Sequence, residues 1–503
     1  MKNLKNMSLL FVAVALMLSC TPSVPSKYNS TGVTPQISPD YTGVTVPVNI
    51  APLVFEIDEK ADEYVTRLSA GTAEYLFAVK EVAPSQEEWG ELVAAAVGGE
   101  IKAEVFTAIN DKWRAFDPFA IKVSPDTIDA YISYRLIPPS YVAYERLSIS
   151  QRKLSSYEES DIYNNMLVTN EPAGQCINCH AYKNHRTDNM QFHVRQYKGG
   201  TVIVNNGRAM KFNLATDSTL SAGVYPAFNP RYNVIAYSVN KTGQIFHTKN
   251  ANKVEVQDSE SDIILFDMNN LTVTNVANDT TKLEVFPWWS PDGRTLYYCS
   301  SHFPERAPGQ SAVDAEVRQY KSIKYNVLRR SYNPETGAFG AVDTVFNAAK
   351  IGKSATFPRV SPCGKFLLFA LAEYGCFHIW HQDADLYIMN LETGEYWPLE
   401  AANSPYAESY HSWNSTGRWI LFASRRDDTN YSRLYIAHVG PDGRAEKAFL
   451  LPQADADFYD FFDRSYNVPE FMVEPVKIAP QDFAEVVKGE SQNVKYVSPN
   501  SEN

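Results

Sequence analysis

Cys176-Ile177-Asn178-Cys179-His180 is the stretch of this 503-residue chain whose spacing names a chemistry. A Cys-x-x-Cys-His run is the pattern by which haem is tethered: two thiols add to the vinyl groups and the adjacent imidazole ligates iron. Two intervening residues let a single helical turn present both sulfurs to one porphyrin edge. The expected cofactor is therefore one covalent haem c. For electron transfer the iron needs a second axial ligand, and Met190 and His193 lie just downstream. Met190 would raise the potential, whereas His193 would give a lower-potential bis-His iron. Met190 is favoured, and His185 stands too close to His180 to reach the opposite face. The plain alternatives are a core methionine and a strand histidine on a polar face. An enzyme acting on peroxide or another small molecule would need that sixth position open.

Other constellations are weaker. His378-x-x-His381 with Asp383 and Asp385 has metal-like spacing, although Trp380 and Leu386 beside it point to packing. Arg425-Arg426-Asp427-Asp428 reads as a salt-bridged cluster at the end of an apolar strand. A redox dithiol at Cys176 and Cys179 would need a thioredoxin-like βαβ setting, and none is visible. Lys183, Arg186, Arg195, Lys198, Arg208 and Lys211 face only Asp188 in sequence, a basic patch suited to haem propionates or an acidic partner.

The elements that position these residues begin with the amino terminus. Lys2 and Lys5 precede the apolar run Leu9 to Leu18, which ends at Ser19-Cys20. That is a secretory signal, too short to remain in a bilayer as a span. Met17-Leu18-Ser19-Cys20 resembles a bacterial lipobox, which implies lipidation of Cys20 and a membrane-tethered protein. No acidic residue follows closely, so the expected location is the periplasm, on the inner leaflet of the outer membrane. Cys20 then goes to lipid and Cys176 with Cys179 to haem, leaving Cys299, Cys363 and Cys376, of which the last two could pair. The net charge of −12 argues against nucleic-acid binding.

Four segments share one template: Tyr225 to Ser238, Phe286 to Ser300, Phe357 to Ala370 and Tyr410 to Ser424. Each reads as a strand, a Ser-Pro-Asp-Gly-like turn and a second apolar strand, with Gly293, Gly364 and Gly417 supplying the positive φ. Such units cannot bury their own faces and must pack around a ring.

These repeats resemble the TolB-like or WD40-like (PD40-repeat) β-propeller. The resemblance implies six blades over 196–475, two of them degenerate, one including Gly200 to Asp217 and the other running from Arg433 to Phe471. The expected layout is a lipoprotein signal at 1–20, a flexible Pro/Ser/Thr/Gly-rich tether at 21–45 and a sandwich at 46–137. A connecting segment with the Cys motif at 138–195, the propeller and a tail at 476–503 complete it. The sandwich is read as immunoglobulin-like from its alternating β runs, with one helix at Glu87 to Val97. The fold class is mostly β.

Two functions follow. The first is a lipid-anchored haem protein for electron transfer or redox sensing, with an envelope protein docked on the propeller. The second is a haem-free TolB-like scaffold for envelope proteins or glycans, with the cysteine pair a disulfide or zinc relic. Enzymatic hydrolysis is not expected, because no Gly-x-Ser-x-Gly nucleophile motif is present.

Overall fold

The computed structural model describes residues 22–138, 146–171 and 174–499. The expected signal peptide and Cys20 lie outside the described residues. The chain is mostly β, and its larger part is a propeller-like circuit of four-stranded antiparallel units.

Each unit starts with a leading strand: Gln175–Lys183, Val224–Phe228, Lys282–Trp289, Ser354–Val360 and Glu408–Trp413. Three further strands follow each in sequence, paired edge to edge. Second strands such as Phe366–Ala372 and Trp419–Ser424 are buried along their whole length, because neighbouring units cover both faces. That is why they read as unbroken apolar runs rather than alternating ones. The remaining unit is assembled from both ends of the circuit. Ser465–Met472 leads it, and Tyr131–Ile137, Ser148–Lys153 and Glu159–Asn164 complete it. The leading strands touch one another in order, and the last touches the first, so the circuit closes.

This closure redraws the expected boundaries. The run at Ala130 to Leu136 pairs with Ser465–Met472 and not with the amino-terminal sheets. The expected connecting segment at 138–195 contributes Ser148–Lys153, Glu159–Asn164, Gln175–Lys183 and Arg186–Gln196 to two units. Gly200–Asn205 and Arg208–Asn213, expected within a blade of their own, are the outer strands of the unit led by Gln175–Lys183. Pairing decides the matter: an apolar strand left with free edges would bury unsatisfied N–H and C=O groups.

The amino-terminal part holds a seven-stranded sheet, a three-stranded sheet and the helix Gln86–Ala96. Ser85 accepts from the Glu88 backbone N–H and the Glu88 carboxylate answers to Ser85 N–H, a capping box that starts the helix one residue before its expected position. The expected tether is packed down, with Ile37, Tyr41 and Val44 buried in the core. That core continues from Phe55 and Trp89 into Leu421 and Ile436 of the circuit. Asp126 ties the two parts together, accepting from His438 Nε2 at 2.8 Å and Arg418 Nε at 3.1 Å. The expected tail at 476–503 is structured too. Its helix Pro480–Lys488 buries Phe483 and Val487 beside Phe192 and Val204. Two short strands beyond it add to the outer edges of neighbouring units.

Candidate functional site

Every leading strand carries the same irregularity. In each, one extra residue is inserted against the second strand, a β-bulge that bends the strand at the ring's centre. The first bulge residue has positive φ in all of them: Cys179 (52°), Tyr225 (48°), Phe286 (55°), Phe357 (54°), Tyr410 (49°) and Val468 (47°). The residue after it is Pro226, Pro287, Pro358 and Pro469 in four units, and His180 and His411 in the others. Proline suits this place because a bulge leaves one N–H without a ladder partner. The Cys179-His180 step is thus the local version of an aromatic-proline step that recurs around the ring.

The aromatic members close the channel. Phe286 stacks on Phe357 with centroids 3.9 Å apart, Tyr225 meets Phe286 edge-on at 4.8 Å, and Tyr410 meets Phe357 at 4.9 Å. Only a void of about 20 Å³ remains at this level, bordered by His180 and Glu470 among others. Cys179 and Val468 are the small members, adjacent in the ring, and both border a much larger cavity of about 650 Å³ at one mouth of the channel. The long hairpin Val234–Phe246 with Val254–Asp267 forms one of its walls through Thr242, Phe246 and Val254.

The bulge also decides where the motif's thiols go. On a regular strand, residues three apart point to opposite faces. The extra residue at Cys179 restores a common side, so Cys176 and Cys179 both border the wide cavity without the helical turn expected from their spacing. Both are free thiols. Arg135 Nη2 donates to Cys176 Sγ at 3.6 Å. Burial pushes the Cys179 thiol up, opposed by the Arg195 guanidinium, the Tyr225 backbone and Arg135.

His180 is 1% exposed. It borders the narrow void rather than the wide cavity, and neither ring nitrogen makes a hydrogen bond of ordinary geometry. Burial takes its pKa down to about 3, with the Ser133 backbone opposing and Arg135 assisting, so the ring is neutral. His411, at the equivalent step, instead donates from Nε2 to Phe357 O at 2.6 Å.

The expected sixth ligands lie elsewhere. Met190 is fully buried in an apolar cluster with Ile177 and Phe192. His193 shares a hydrogen bond with Thr201 Oγ1 at 3.0 Å and does not border the cavity. Of the basic patch, only Arg195 borders the cavity. Arg186 pairs with Asp188 at 2.6 Å, Lys183 reaches Tyr232 O, and Lys211 reaches Val487 O at 2.8 Å.

His378 and His381 do not converge on a metal. His378 binds Thr356 and Gly375, His381 pairs with Glu255 at 3.1 Å, and Asp383 accepts from the Glu373 N–H. No metal-binding group of three such residues occurs among the described residues. Cys363 is exposed while Cys376 is buried, and the two do not pair.

Arg425 was legible only as part of a charge cluster, yet it borders the cavity and lies over Trp380 at 4.2 Å. Its neighbours pair with other groups: Arg426 with Glu408 at 3.0 Å, Asp428 with Arg433 at 3.5 Å.

The donor chemistry can be weighed against a covalent haem on these facts. Two free thiols on one cavity wall and nearby guanidinium groups suit that group, whereas the His180 imidazole borders the narrow void and does not share that wall. Met190 and His193, held in their own contacts, do not suit the second axial position.

No protein-family model matches the chain, and no curated protein matches it. Solved structures that resemble it do so weakly. A pair of prolyl endopeptidases is represented at 12% identity and a TM-score of 0.32, over 64% of this chain and 42% of that one. Prolyl oligopeptidase B from Galerina marginata gives 7% and 0.34, over 64% and 44%. The Cps50 (Swd1) β-propeller domain of Myceliophteria thermophila gives 8% and 0.29, over 65% and 87%. The chain thus matches less than half the length of the two peptidases.

Proposed function

We propose that this chain is a lipid-anchored periplasmic protein built as a six-bladed TolB-like propeller behind an immunoglobulin-like sandwich. It carries one covalent c-type haem on Cys176 and Cys179, for electron transfer or redox sensing with a protein docked on the ring. The carrying observation is the bulge at Cys179, through which both thiols of the motif border one 650 Å³ cavity. A bound haem supplies one-electron chemistry at its iron. The chain's own part is threefold. The thiols of Cys176 and Cys179 anchor, and the guanidinium of Arg135 donates to the Cys176 sulfur and fixes its place on the wall. The aromatic closure at Phe286 and Phe357 keeps water from the inner end. His180 offers a neutral imidazole, the protonation state a metal ligand needs.

The test is a reduced pyridine haemochrome spectrum of the protein exported from a host competent for c-type haem attachment. A c-type band near one haem per chain, lost in Cys176→Ala/Cys179→Ala, is expected. Absence of the band in well-folded protein sinks the reading.

A second reading, a haem-free binding scaffold, is favoured by one observation: His180 faces the narrow void while the thiols face the wide cavity. In that case the cavity itself takes an envelope ligand, and the thiols are part of its wall.

A further inference from the structure

The wide cavity has an unusual charge. In a chain of net charge −12, its wall contains Arg135, Arg195, Lys253 and Arg425 and, among the described residues, no aspartate or glutamate. The two half-buried guanidinium groups are incompletely satisfied: Nε of Arg135 and Nε of Arg425 are buried without a hydrogen-bond partner. Burial lowers the Arg425 pKa to about 10, with Asp428 opposing, which is the mark of a cation short of counter-charge. Burying charge without a partner is costly, and a site that keeps such groups regains that cost when an anion arrives.

Aromatic side chains share the wall: Tyr225, Phe377, Trp380 and Tyr410 border the same space. With the channel plugged beneath it, the cavity is blind. Its volume lies in the range of small-ligand and cofactor sites. Flat apolar walls with guanidinium groups among them suit a ring-shaped body that bears acid groups.

We propose that this cavity binds a ring-bodied ligand carrying carboxylates, held by Arg135 and Arg425 with Arg195 at the exposed edge. The inference rests on the reading that the cavity is the binding site, and it does not require the thioether tether. Two sources offer this chemistry: the propionates of a haem, and a uronic-acid sugar of the envelope.

The test uses the full-length chain, purified from a host without haem-attachment machinery, and isothermal titration calorimetry. The probes are haemin and its dimethyl ester, and digalacturonate and its dimethyl ester. In at least one pair the free acid is expected to bind about tenfold or more tightly than the ester, the scale of one charge-assisted hydrogen bond. Arg425→Gln and Arg195→Gln should each shrink that preference severalfold, with Lys112→Gln, remote from the cavity, leaving it unchanged. Preference within the haemin pair identifies the haem source, and preference within the sugar pair identifies the uronate. Equal binding of acid and ester in both pairs, or no binding by protein whose melting curve is intact, overturns the proposal. The two readings fail separately. Acid preference without a haemochrome band removes only the tether, and a band with no acid preference removes only the anion site.

Discussion

Cys179 and His180 stand where three other units carry an aromatic residue and a proline, and this equivalence makes His180 open to a specific substitution. His180→Pro restores the residue found at Pro226, Pro287, Pro358 and Pro469. It should leave the melting temperature within about 4 °C of wild type, the shift expected of less than 1 kcal/mol. With haem attached, the same variant should lose its native iron-ligand spectrum while keeping both thioether bonds. The buried imidazole also sets a pH dependence. Its folded pKa of about 3 lies below the unfolded value of 6.5, so its contribution is fully present above about pH 6.5 and is lost as the pH falls toward 3. Urea unfolding at pH 7 and pH 5 should therefore show the gap between wild type and His180→Pro moving in the variant's favour, by up to about 2 kcal/mol. An unchanged gap would mean that His180 is already charged or solvated in the folded protein. The motif was plain in the sequence, but its place on a bulged strand was not. With cysteine and histidine replacing the aromatic-proline step, and Asn184-His185 replacing the Pro-Asp-Gly turn, both marks of the repeat are missing from Gln175–Lys183 and its partner.

At the level of elements, the turn at Gly293 locks its unit to the one before. Gly293 has φ of 70°, and a Cβ there would come within 2.3 Å of Asn229 Oδ1 of the preceding unit. Asn229 Nδ2 in turn donates to Gly293 O at 2.9 Å. Gly293→Ala thus meets both a disfavoured backbone region and a clash, and should lower stability by about 2–3 kcal/mol in a denaturant melt. The tryptophans of the template make the same kind of link: Trp289 Nε1 donates to Ala227 O and Trp413 Nε1 to Arg359 O. Four template copies were readable because bulge aromatic and apolar strand recur together at Tyr225, Phe286, Phe357 and Tyr410, the last three with a turn glycine as well. Ser465–Met472 kept only the proline at 469 and gave up the turn, since its second strand comes from the other end of the circuit. Local pattern cannot announce a partner more than three hundred residues away.

For the whole molecule, the shared core between the amino-terminal sheets and the unit at Glu408–Leu450 predicts one cooperative unfolding transition in calorimetry, not two. Separate transitions would show that the Asp126 contacts with His438 and Arg418 are incidental. Truncation divides the carboxyl terminus by role. A chain ending at residue 476 loses the helix that buries Phe483 and Val487, and should remain folded but melt lower by several degrees. A chain ending at 464 loses the leading strand of the closing unit and should not fold, giving rapid digestion in limited proteolysis. Closure from both ends has a further consequence for a chain synthesised amino terminus first. The strand with Cys176 and Cys179 emerges long before Ser465–Met472, the strand that seals the ring beside it. Until that strand arrives, thiols that are 6% exposed in the finished protein have an open side. Any enzyme that modifies them works on an unfinished ring, and the last strand to emerge ends its access.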